Sequence, residues 1–225
     1  MFVAFREHVD AIANDETVGC VVVTGAGRSF CAGHDLGAIS SNEHAPSKHF
    51  EPETVDALER LPQPTIAKIR GHCFTGGLEF ALACDFRVMS KESALLYAFI
   101  NIGLGPDGGA SWLLSRQVGY SKALEIATGG KRVMGEECLK LGLTNKLVET
   151  NEILNVAKNW AKDLSEKPTI GVGITKQDMI FSLNNNLLDT IEFEAKEQVA
   201  AFHSEDLKEG VSAFLEKRKA NFKGK

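Results

Sequence analysis

Apolar residues fall into two regimes along the chain. Up to about residue 100, short β-branched and aromatic runs sit between glycine-rich turns; beyond about residue 110, apolar residues recur every three or four positions. Phe2, Phe5, Val9, Ile12 and Ala13 lie at helical spacing, so residues 2–13 are predicted to form an amphipathic helix closed by Asn14 and Asp15. GCVVVT (19–24) reads as a buried strand, and the glycine-punctuated loop GAGRSFCAGHD follows it. Residues 38–52 mix Ser, Asn, His, Pro and Glu without a period and predict a mobile surface segment able to cover a pocket. A helix is expected over 53–61, ended by Pro62 and Pro64. TIAKIR (65–70) predicts a second strand, GHCFTGG turns the chain, LEFALAC reads as a buried helix and DFRVMS as a third strand. After the loop around GLGPDGG come the helical patterns SWLLSRQV, SKALEIAT and GEECLKLG. Longer amphipathic stretches follow over about 151–166, 170–183, 187–202 and 205–220.

Strands early and helices late predict an α/β fold. A chain of 225 residues with 44% hydrophobic content can bury one large core. We divide it at residue 150, into a core that carries the chemistry (1–150) and a helical region (151–225). A formal net charge of -5 gives no electrostatic reason for a nucleic-acid or anionic-membrane partner. The five cysteines are scattered and contain no C-x-x-C pair, so neither a disulfide framework nor a metal site is expected. The first residues lack the basic and apolar regions of a targeting signal, and no run approaches 18 apolar residues, so a cytoplasmic location is expected. The basic end FLEKRKANFKGK reads, on charge alone, as a solvated helix terminus.

Two turns suggest chemistry. AGRSFCAGHD and HCFTGGLE each follow a strand and carry small residues that let a backbone N–H approach a ligand closely. Neither is a dinucleotide or phosphate-binding glycine motif. Taken together, VVVTGAGRSFCAGHDL (21–36), GHCFTGGLEFALACDF (71–86), YAFINIGLGPDGGASWLL (97–114) and EGVSAFLEKRKANFK (209–223) closely resemble the enoyl-CoA hydratase/isomerase, or crotonase, family. The resemblance implies a spiral of ββα units with a C-terminal helical trimerisation region, assembled as a homotrimer or hexamer. It also implies an acyl-CoA thioester substrate and no separate cofactor, since CoA belongs to the substrate. The matching oxyanion-hole amides are those of His34 and Gly76. Enolate chemistry places negative charge on the thioester oxygen, and one preorganised donor to such an oxygen is worth ~2.7–4 kcal/mol. The imidazole of His34 need not take part. Ala32 matches a position whose carbonyl lies near the adenine, while Phe214 and Lys217 match CoA contacts often supplied by a neighbouring subunit.

Two departures from the family pattern, and one further match, shape the expected reaction. Glu79 matches the first of the two glutamates by which a hydratase activates water, but the second falls at Phe99, which cannot move a proton. Asp107, in GPDGG, stands at a turn where several family isomerases carry their catalytic acid, and is the preferred base. Confinement beside an apolar acyl tail would make it more effective. Double-bond migration by proton shuttling is therefore preferred. The alternatives are a hydratase that uses Asp107 with Glu79, or a catalytically impaired acyl-CoA-binding homologue. Competing structural roles are an N-cap for Asp107 on a helix starting at Gly108 and a first-turn helix acid for Glu79. Phe74 and Phe99 are expected to line the acyl pocket, and Trp112 to pack in the core. Finally, the resemblance implies an initial strand pair for which this sequence has no residues, so the first strand is expected to leave a sheet edge exposed.

Overall fold

The computed structural model describes residues 2–37 and 50–225, so the predicted surface segment falls, for residues 38–49, outside the described residues. In chain order the elements are α1 (Phe2–Ala13), β1 (Val21–Thr24), α2 (Phe50–Glu59), β2 (Thr65–Ile69), β3 (His72–Phe74), α3 (Gly76–Ala83), β4 (Phe86–Ser90) and β5 (Ala94–Leu96). A single 3-10 turn, Phe99–Ile102, precedes α4 (Ala110–Val118), α5 (Tyr120–Gly129), β6 (Arg132–Met134), α6 (Gly135–Lys140) and β7 (Lys146–Val148). Four helices close the chain: α7 (Ile153–Ser165), α8 (Thr169–Ser182), α9 (Leu187–Phe202) and α10 (Glu205–Glu216).

The strands form two sheets, and the chain passes from one to the other within each unit. One sheet is wholly parallel in the order β1-β2-β4-β7; in the other, β5 lies between a parallel β3 and an antiparallel β6. The corner between β2 and β3 needs Gly71, whose φ is +65° and whose added Cβ would fall 2.6 Å from the Arg28 carbonyl oxygen. At the next corner Ser90 and Ser93 share a hydroxyl hydrogen bond of 2.6 Å, and Ser93 donates to the Ile69 carbonyl. β2 and β4 thus deliver the chain into β3 and β5, and helices α3 and α4 follow. This alternation is the spiral of ββα units that the resemblance implies.

Parallel strands covered on both faces need apolar residues on both faces. Ala67, Ile69 and Met89 point into the larger core with Leu58, Leu61, Leu78 and Leu82. Ile66 and Val88, on the opposite face, pack under Ile153 and Ala157 of α7, with Trp160 against Phe86 at 4.8 Å. The first helix beyond residue 150 therefore covers the four-stranded sheet. Only α8, α9 and α10 form the group beyond it. That group is tied to the sheet end by Lys176 of α8, which donates to Asp85 at 2.9 Å, and Asp85 also accepts from the Thr65 amide and hydroxyl. Phe181 and Phe193 stack at 4.1 Å between α8 and α9.

Three- to five-residue strands buried in turns give little period, which is why β3, β5, β6 and β7 escape a pattern reading. The last helix is also shorter than the 205–220 expected. Lys217 turns to φ 54°, and the amides of Lys223 and Gly224 donate back to Asp206, so the tail returns to the start of α10. β1 is the outer strand of its sheet, and Val21, Val22 and Val23 are only partly buried. Among the described residues no helix is long and apolar enough to cross a membrane.

Candidate active site

The two glycine turns meet because the segment after β1 runs beside β3. The amides of Phe30 and Cys31 both donate to the His72 carbonyl, and the Phe74 amide donates back to the Cys31 carbonyl. The contact leaves no room for side chains. A Cβ on Gly33, at φ +90°, would lie 1.9 Å from the Thr75 hydroxyl oxygen, and one on Gly77 would lie 2.5 Å from the Cys31 carbonyl oxygen. Thr75 itself adopts φ 47° and ψ -116°, a conformation that a β-branched residue holds only when its surroundings impose it. Its amide is fixed by the Leu96 carbonyl at 3.0 Å, and α3 starts at the next residue.

Gly76 is thus the first residue of a helix whose eight residues are all buried. Its amide belongs to the positive pole of that helix, where N–H groups lack partners within the helix and an anionic oxygen is favoured. A Cβ at Gly76 would stand 3.8 Å from Cε1 and Nδ1 of His34 and 3.8 Å from Oε2 of Glu79. One small volume is therefore bordered by Gly76, His34 and Glu79. His34 is exposed, as is Ala32 two residues before it in the same turn.

Glu79 is buried to 2% exposure within an otherwise apolar helix. Its Oε1 accepts the Gly108 amide at 3.0 Å, and the same amide lies 3.0 Å from Oδ1 of Asp107. A single N–H thus brings together two carboxylates 28 positions apart in sequence. Their surroundings differ, since Asp107 is exposed. The helix-cap alternative for Asp107 is not what forms: α4 begins at Ala110 with Gly109 as its N-cap and no side-chain cap bond. Nor does the protein alone confine Asp107; a bound acyl tail would have to do that.

Sequence reasoning passed over Tyr97 at this site. It is 2% exposed, packs edge-on to Phe99 at 5.1 Å, and has its phenol pushed up to about 12 by burial first and then by the charges of Glu79 and Asp107. A cavity of about 300 Å³ adjoins it, bounded by Leu104, Pro106, Leu114 and Leu124 among others. Phe99 and Phe74, the residues expected to line the acyl pocket, do not border this cavity: Phe99 is 6% exposed in the core and Phe74 stacks on His72 at 4.5 Å. Trp112 packs against the core with one face and carries the Arg116 guanidinium 3.8 Å above its ring. Phe214 and Lys217 are not brought to this site. Both are exposed on α10 and at its end, and Phe214 borders a separate cavity between α8, α9 and α10.

The sequence profile described as Enoyl-CoA hydratase/isomerase matches residues 4–225. The chain belongs to this family. Among its relatives, 1,2-epoxyphenylacetyl-CoA isomerase of Escherichia coli (strain K12) is 34% identical over an alignment of 233 positions, which covers all of this chain and 88% of the relative. Short-chain-enoyl-CoA hydratase of Clostridium acetobutylicum is 31% identical over 215 positions, covering 94% of this chain and 82% of the relative. The crystal structure of enoyl-CoA hydratase from Bacillus anthracis superposes with a TM-score of 0.94 at 28% identity, over all of this chain and 88% of that one. The crotonase-type spiral expected from the motifs is therefore the fold this family shares.

Proposed function

We propose that this enoyl-CoA hydratase/isomerase family member moves a double bond in an acyl-CoA thioester by shuttling a proton. The observation that carries this reading is the Gly108 amide shared by Glu79 and Asp107, beside the turn pair of His34 and Gly76. The amides of His34 and Gly76 receive the thioester oxygen as enolate charge develops on it, where fixed donors favour that charge over the ground state. Asp107 removes the proton from the acyl chain to give the dienolate and returns it at another carbon, which regenerates the carboxylate, while Glu79, held by the Gly108 amide, can share that proton. Phe99 supports isomerisation over hydration because it stands where the family's second water-activating glutamate is expected.

A hydratase reading keeps one observation in its favour: two carboxylates at one donor could also hold a water between them. Incubation with a 3-enoyl-CoA and with crotonyl-CoA separates the two. Formation of the 2-enoyl product, lost by about 10²-fold or more in Asp107→Asn, is expected for the isomerase. Loss of crotonyl-CoA absorbance without any 3-enoyl conversion would overturn it in favour of hydration.

The same reading places Ala32 beside the adenine and gives Phe214 and Lys217 to the CoA of a neighbouring subunit. Phe214 is 84% exposed and Leu187, Leu188 and Leu215 are each more than 70% exposed, an apolar helical surface that supports a homotrimer or hexamer. Sedimentation of the full chain should show one of these assemblies, and a monomer at micromolar concentration would refute that part. Five free thiols fit a cytoplasmic location.

A further inference from the structure

The carboxylate pair has a neighbour to which double-bond migration assigns no task. Tyr97 is almost fully buried, yet its phenol makes no hydrogen bond among the described residues. Its oxygen is not among the fully enclosed polar atoms that lack a partner, and Tyr97 lines the adjoining cavity, so a ligand that fills this cavity either offers the phenol a hydrogen bond or strips it of water and leaves it unpaired. Of the other hydroxyl-bearing residues that line the cavity, Ser111 and Tyr120 are exposed to solvent, whereas Ser115 and Thr128 are already satisfied. Ser115 donates to the Trp112 carbonyl at 3.2 Å and Thr128 to the Leu124 carbonyl at 2.7 Å. The remaining wall is formed largely by apolar side chains such as Leu104, Pro106, Leu114 and Ala123. Pro106 directly precedes Asp107, so the cavity opens beside the proposed base.

We propose that Tyr97 determines specificity by donating a hydrogen bond to an oxygen carried part-way along the acyl group. The favoured substrates are then acyl-CoA thioesters with an ether, epoxide, hydroxyl or carbonyl oxygen, over plain hydrocarbon chains of equal length. This rests on the acyl-CoA reading above and adds the substrate class to it. Burial and the charges of Glu79 and Asp107 hold the phenol's pKa at about 12, so it remains a donor at any physiological pH and does not itself shuttle protons. Its ring is set edge-on against Phe99, which fixes where the hydroxyl stands. A hydrocarbon chain in the same place would leave the hydroxyl unpaired, and sites built to hydrogen-bond a substrate group discriminate against analogues lacking it.

The test is equilibrium binding by calorimetry of the full chain to saturated, unreactive acyl-CoA thioesters of one length, with an ether oxygen replacing successive chain methylenes. The wild-type protein is expected to prefer one oxygen position over the all-carbon chain by about tenfold. Tyr97→Phe, which keeps the ring and its contact with Phe99, should abolish that preference while binding the all-carbon chain at least as well. Tyr97→Met checks the same loss should the Phe variant fold poorly. Absence of a preferred position in the wild type, or its survival in the variants, would overturn the proposal. The outcome is separable from the isomerase reading. Binding with the preference but no double-bond migration would sink that reading alone, whereas migration without the preference would sink this one alone.

Discussion

Gly108→Ala should strike the proposed chemistry without touching a charged group. A Cβ at residue 108 would lie 2.2 Å from Oε2, 2.6 Å from Cδ and 3.2 Å from Oε1 of Glu79, so the methyl and the carboxylate cannot share the space. Glu79 is 2% exposed in a fully buried helix, and its carboxylate has no open solvent into which to swing. The displacement breaks the 3.0 Å bond from the Gly108 amide, a contact to an ionised acceptor worth about 1.5–3 kcal/mol. In a chain of this size that corresponds to a melting temperature lower by roughly 5–10 °C. A positioned acid or base contributes about 10²–10⁴ in rate, so kcat on a 3-enoyl-CoA should fall by at least about 10²-fold. KM should change little, because His34 and Gly76 keep their places. A double variant with Glu79→Asp shortens the side chain and should recover most of the melting temperature but not the rate. Gly129→Ala, with nothing within 4 Å of its added Cβ, is the control and should match the wild type in rate. A Gly108→Ala protein that melts lower yet turns over within about threefold of wild type would refute the assignment of Glu79 to the reaction.

Two further outcomes follow from the packing of the turns and from the buried thiols. Gly33→Ala would set a methyl 1.9 Å from the Thr75 hydroxyl oxygen at a φ of +90°, forcing the His34 and Gly76 amides apart. Loss of one oxyanion donor corresponds to about 10²–10³ in kcat, and steady-state kinetics with retained far-UV dichroism would check it. Burial pushes Cys84 and Cys138 from the ordinary 9.0 up to about 12. Both folded values lie above the unfolded one, so this stabilisation is fully present below about pH 9 and is lost as pH rises toward 12. The urea midpoint should fall between pH 8 and pH 10 by the equivalent of about 1 kcal/mol per thiol, less in Cys84→Ala, and a flat profile would contradict the burial of these thiols.

Much of the architecture can be read directly from local patterns, because local physics governs it. TIAKIR and DFRVMS read as strands and LEFALAC as a buried helix, because short runs of alternating polar and apolar residues or of apolar residues between turns leave few alternatives. Gly76 and Gly77 mark the turn at which α3 starts, and the four family-like segments point to the chemistry of His34, Gly76 and Glu79 before any coordinates. Three-residue strands carry no period, so the second sheet and β7 emerge only when β2 and β4 hand the chain across at Gly71 and at the Ser90 and Ser93 corner. Helix α10 ends at Glu216, short of the expected residue 220, where Lys217 turns to φ 54° and Asp206 accepts from the returning tail.

At the site the division is sharper. Residue type and motif position nominate Glu79 and Asp107, but that both lie on the single amide of Gly108 depends on α3 packing under the loop before α4, a contact between distant segments. Tyr97 shows the same limit. An aromatic in an apolar run carries no sign of its role, and only folding places its phenol next to two carboxylates and a cavity, where burial keeps it protonated. Local sequence sets backbone conformation through sterics and periodicity, whereas a shared donor or an unpaired hydroxyl is a property of which surfaces the fold brings face to face.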